Sequence, residues 1–168
     1  MKISGTIHQL PFPAKMLIIF FLLALSFGFF SGFRYLKGAT NLTPAGIEKN
    51  YNGNEKEQDP DEVIFKKSQD EILTVIHAHA LSMSMIFFLL GIILLMTTMN
   101  ETLKYFLLIE PFVSIVVTFG GIWLMWKEVI WFKYVVMVSG IFLSISYMTT
   151  VLIIAWQLFF YRPSGSGK

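Results

Sequence analysis

Two histidines and one glutamate interrupt otherwise apolar sequence: His77 and His79 in Ile76-His77-Ala78-His79-Ala80, and Glu110 beside Pro111. Ionisable groups inside such runs are functional candidates by default, because each costs free energy to hold there. Neutral imidazole ligates haem iron, copper and zinc, and it can also relay protons. Helical geometry restricts the first role. Residues two apart point roughly 200° away from each other, so one regular helix cannot offer both rings to one metal as an i, i+4 pair would. That leaves one histidine per centre. Three readings stay open: an interfacial pair bonded to backbone carbonyls, a haem b or metal site, and a proton relay.

His77, Ser84 and Gly91 recur at seven-residue spacing and are joined by Ala80. Small residues mark close approach between membrane helices, so this stripe predicts that His77 faces the interior. His79 shares its side with Ser82, Met83, Ile86 and Leu90, facing another helix, a second protomer or the lipid interface. A metal or haem site would then use His77 inside one protomer and His79 toward another protomer or centre.

Glu110 lies about one third of the way along its own apolar run, and the proline after it should bend that helix and free a carbonyl. It enters from the face opposite to the histidines, with a vertical gap on the order of 14 Å. It is therefore read as a protonated carboxyl bonded to another helix, with Gln157 as partner, or as part of a proton path. Near the histidine end, Arg34, Lys37, Lys127 and Lys133 can pair with haem propionates or simply snorkel to headgroups.

The elements that must position these residues are four apolar runs, at about 16–33, 72–97, 103–126 and 131–160, each long enough to span the hydrocarbon. The first is read as a retained helix, since its 18 unbroken apolar or small residues exceed a signal-peptide core. Tyr35, Trp123, Trp126, Trp131, Tyr134, Trp156 and Tyr161 sit near span ends, where amphipathic rings prefer the headgroup level. The links after the second and third spans are only a few residues long. Those helices must be antiparallel neighbours, so the fold expected is an all-α integral-membrane up-down four-helix bundle forming a single domain.

Residues 34–71 make the only sizeable extramembrane segment, with six basic and eight acidic residues. Thr43-Pro44 predicts an N-cap with proline at the first helical position, and Gly53 a stop. Positions 54–62 are nearly all polar and expected to be mobile. Ser68 and Glu71 match a capping box that starts the second span's helix. Lys and Arg number eight on the side of this segment and five on the side of the termini, yet the two ends of the first span are evenly charged, so charge does not fix orientation.

Composition agrees with this reading. Of 168 residues, 55% are hydrophobic and only 14% charged, against about a quarter in soluble domains. The absence of cysteine excludes disulfides, thiolate metal sites, iron–sulfur clusters and covalent c-type haem attachment in this chain. No basic run suggests nucleic acid as a partner and no glycine-rich loop a nucleotide. Composition assigns no enzymatic activity.

The order of several short motifs resembles a family of small bacterial four-helix inner-membrane proteins grouped loosely with membrane cytochromes. They are Leu42-Thr43-Pro44-Ala45-Gly46-Ile47 with Tyr51 and Gly53, His77-Ala78-His79 followed by Phe87-Phe88-Leu89-Leu90-Gly91, Pro111-Phe112 with Trp123, and Ser139-Gly140. The resemblance implies haem b, or another metal, at His77 and His79, with electron transfer in or beside a respiratory complex. It also implies a cytochrome or a further copy of the chain as partner, and termini in the cytoplasm with 34–71 in the periplasm. The alternative is a non-catalytic scaffold or assembly subunit without cofactor.

Overall fold

The computed structural model describes residues 7–55 and 63–160, and these form one 3-10 turn, five α-helices and no strand. The helices are α1 (Phe12–Thr40), α2 (Pro44–Asn52), α3 (Gln69–Leu95), α4 (Glu101–Trp126) and α5 (Phe132–Phe159). All but α2 are long and apolar enough to cross a membrane. Tyr161 and positions 56–62 lie outside the described residues.

Local chemistry sets the helix ends. The Thr43 hydroxyl accepts the Gly46 N–H at 3.0 Å and Pro44 opens α2, which satisfies one orphan donor and omits another. Gly53 closes α2 with φ +75°. Ser68 accepts the Glu71 N–H at 3.3 Å while the Glu71 carboxylate accepts the Ser68 N–H at 2.7 Å, completing the expected capping box of α3. Asn100 caps α4 in the same manner, accepting the Leu103 N–H at 3.1 Å. α1 is longer than its apolar run, because backbone bonding continues past the hydrocarbon edge until Asn41 turns left-handed at φ 50°.

The four long helices share the core unequally. α4 and α5 pack most closely, and α3 lies against α4 with Phe87, Leu90 and Leu94 buried. Gly121 permits the α4–α5 approach, since a Cβ there would stand 2.9 Å from Val136 Cγ2. α1 instead leans on α5, where Phe29 stacks on Tyr147 with centroids 4.4 Å apart. Only Ile18, Leu22 and Thr40 of α1 are buried, while Leu17, Phe20, Leu23, Phe27 and Phe30 face outward. Nothing stands within 4 Å of a Cβ at Gly28 or Gly32. Lipid is as apolar as these side chains, so their exposure carries no hydrophobic cost in a bilayer.

α2 closes the end of the bundle nearest the histidines. The Asn52 amide donates to the Met125 carbonyl at 2.9 Å, the Trp126 indole N–H donates to the Lys67 carbonyl at 2.8 Å, and Lys133 pairs with Glu48 at 2.7 Å. Lys66 also pairs with Glu128. Asn54 is not part of a mobile stretch. It is buried, its N–H donates to the Ile64 carbonyl at 2.8 Å, and its side-chain oxygen accepts the Ile64 N–H at 2.6 Å.

Candidate functional site

The side of α3 that meets the bundle is set by bulk rather than by its small residues. Ile72, Ile76, Met83, Phe87, Leu90 and Leu94 form the inward stripe. At about 100° per residue, His77 stands roughly 110° from the middle of that stripe and His79 roughly 50° on its other flank. The expectation that His77 faces the interior is therefore corrected: His77 is exposed, beside an open depression lined by Leu73, Thr74, Ile76 and Ala78. Gly91 does meet α4, with a Cβ there 3.2 Å from Leu108, but more than three turns of helix separate Gly91 from the histidines and the small-residue stripe does not carry His77 inward.

His79 is also exposed, yet it is held. Its ring lies 5.7 Å, centroid to centroid, from Phe119 of α4, and its Nδ1 is 2.9 Å from the Val75 carbonyl one turn back. A carbonyl can only accept, so Nδ1 carries the proton, and in the neutral form of the ring the lone pair lies on Nε2. This is the tautomer that a ligating histidine adopts when a backbone carbonyl orients it. The same bond also satisfies a histidine that ligates nothing.

The basic residues expected to serve propionates are differently placed. Arg34 is exposed on α1. Lys133 is engaged by Glu48, and Lys127 lies over both Trp123 and Trp126, at 5.1 and 4.9 Å from the ring centroids. Beside them in α2, burial pushes the Tyr51 hydroxyl above the usual tyrosine range, with Tyr35 adding to the shift. Tyr51 is thus neutral at physiological pH. No group of three or more His, Asp or Glu side chains gathers among the described residues, so no such cluster surrounds His77 or His79 there.

Glu110 is indeed bonded to another helix, but not through Gln157. Its two carboxylate oxygens accept the hydroxyls of Ser114, one turn on in α4, and of Ser146 in α5. Thr118 follows at the next turn and donates to Ser139 of α5 at 2.7 Å. Glu110, Ser114 and Thr118 are four apart and so fall on one helical face; that spacing was readable, whereas the α5 partners depend on inter-helix register. Gln157 lies at the opposite end, where its amide accepts the Thr98 N–H at 2.8 Å and donates to the Thr98 carbonyl at 2.7 Å. Gln157→Leu should remove both bonds and cost about 1–3 kcal/mol, measured as a lower melting temperature in detergent, with the helix content of the folded protein unchanged.

A family model described as a transmembrane helical domain matches residues 41–165, a stretch that contains α2 to α5. No curated protein and no solved structure matches the chain. The match carries the membrane architecture and does not extend to a cytochrome. Four apolar helices together with this match make the protein a multi-pass membrane protein in contact with the lipid bilayer.

Proposed function

We propose, for a chain that belongs to the Aq_1264_TM family of transmembrane helical domains, that it is a membrane subunit offering histidine ligands to a centre shared with a second polypeptide. The carrying observation is His79, whose Nδ1–H is held by the Val75 carbonyl so that Nε2 remains available at the surface of the bundle. His77, exposed two residues earlier, supplies the second imidazole to the same interface or to another centre. Haem b is read here as a group shared with the second polypeptide, since one protomer presents a single oriented imidazole on this face; Arg34 and Lys37, both exposed on α1, are the basic side chains left to meet a propionate. Haem b or a metal bound there would supply one-electron transfer, in or beside a respiratory complex. The chain's own part is to fix the tautomer, hold the ring against Phe119 and exclude water with apolar helix faces.

The rival reading, a scaffold without cofactor, draws on the same Val75 bond, which already satisfies His79. An absorption spectrum of protein purified from haem-replete cells, with metal analysis for a colourless centre, separates the two. A Soret band or stoichiometric metal is the expected result, and colourless, metal-free protein from such cells would refute the ligand assignment.

We place the protein in the bacterial inner membrane with 34–71 periplasmic, on the motif resemblance. Four spans bring both ends of the bundle to one side. A cytoplasm-active reporter fused at Lys168 should work and a periplasm-active one inserted after Asn54 should work. The opposite pattern would reverse the orientation.

A further inference from the structure

Between α4 and α5, on the lipid-facing side, runs a groove of about 580 Å³, within the range of small-molecule sites. Glu110 is the only acidic or basic side chain in its lining, about 14 Å along α4 from the Glu101 end. Phe106, Trp131, Tyr134 and Phe142 contribute exposed rings to a lining completed by valines and serines. Among the described residues no basic side chain pairs with Glu110, since Lys104 is taken by Glu101 at 3.4 Å. Its only hydrogen-bond partners there are the two serine hydroxyls, one to each oxygen, which leaves acceptor capacity on both. A lipid acyl chain matches the walls and not the carboxylate. A molecule that complements both must dissolve in the bilayer and carry positive charge, which the ring faces also attract.

We propose that this groove binds a lipophilic organic cation, with the ionised form of Glu110 as its counter-charge and the rings of Phe106 and Phe142, one turn to either side along the helices, as its walls. The site is separate from the histidine face and stands whether or not a cofactor binds there. The test uses the full chain in detergent and equilibrium dialysis of tetraphenylphosphonium. Wild type should bind it saturably, Glu110→Gln should bind at least tenfold more weakly, and tetraphenylborate, equal in size and opposite in charge and dialysed on its own, should show no saturable binding. Val138→Trp fills the groove from its lipid side, where Val138 is exposed, and should lose binding with Glu110 intact. This variant decides the matter if Glu110→Gln fails to fold. Absence of saturable binding by wild type, equal binding by a folded Glu110→Gln, unimpaired binding by Val138→Trp, or saturable binding of tetraphenylborate dialysed alone would each overturn the proposal.

Discussion

Gly53→Ala should release the segment that closes the histidine end of the bundle while leaving the four long helices in place. Gly53 has φ +75° and ψ −178°, a region essentially confined to glycine, where another residue stores about 1–3 kcal/mol of strain. Space adds to conformation. A Cβ there would stand 2.6 Å from both the Ile64 carbonyl oxygen and the Lys66 nitrogen, and backbone cannot move aside as a side-chain tip can. Those atoms belong to a small knot: besides the Asn54–Ile64 bonds, Lys66 donates its N–H to Glu55 at 2.8 Å and Lys67 donates its N–H to the Tyr51 carbonyl at 3.1 Å. The expected reading is fast amide hydrogen exchange at Asn54, Ile64 and Lys67 in the variant, against slow exchange in wild type. Gly38→Ala is the control. Nothing lies within 4 Å of a Cβ at Gly38, and alanine in an exposed helix gains about 1 kcal/mol over glycine. Unchanged protection at the three amides in Gly53→Ala would show that the knot does not depend on this residue.

What could be read from the sequence was local. The cap at Thr43-Pro44, the stop at Gly53 and the Ser68–Glu71 box each depend on neighbours within a few residues, and each is present as expected. The spans were readable because hydropathy acts on the length of a run and not on its facing. Facing was the weak point. A stripe of small residues points His77 inward, but the bulky residues one position away on the helix are the ones buried in the core and turn that stripe to the flank. In a membrane span both sides are apolar, so the contrast that orients a soluble amphipathic helix is missing. The inter-helix partner of Glu110 is not legible for a related reason: its bond to Ser146 joins two helices whose register is set by tertiary packing. Asn54 shows the opposite error. Its polar neighbourhood suggested mobility, whereas its side chain substitutes for a backbone partner of Ile64 and is buried by doing so.

The two histidines should differ sharply in any cofactor-loaded form. His79 is oriented before ligation by Val75 and Phe119, so its ring has little freedom left to lose. His77 has no such anchor among the described residues and must surrender its rotamer freedom on binding, a cost of order 1 kcal/mol. With haem b or metal bound, His79→Ala should therefore lower affinity at least a hundredfold, and His77→Ala should lower it by less. Phe119→Ala, which leaves both imidazoles in place but lets the His79 ring swing, should fall between them. If the centre is shared between two chains, as proposed, occupancy should also rise with protein concentration through mass action on the shared site. Titration of each variant with haem, followed at the Soret band over a range of protein concentrations, measures all of these together. Equal retention by His79→Ala and wild type would remove His79 from the site. A stronger loss from His77→Ala would make the unanchored ring the principal ligand, and occupancy independent of protein concentration would place every ligand within one chain.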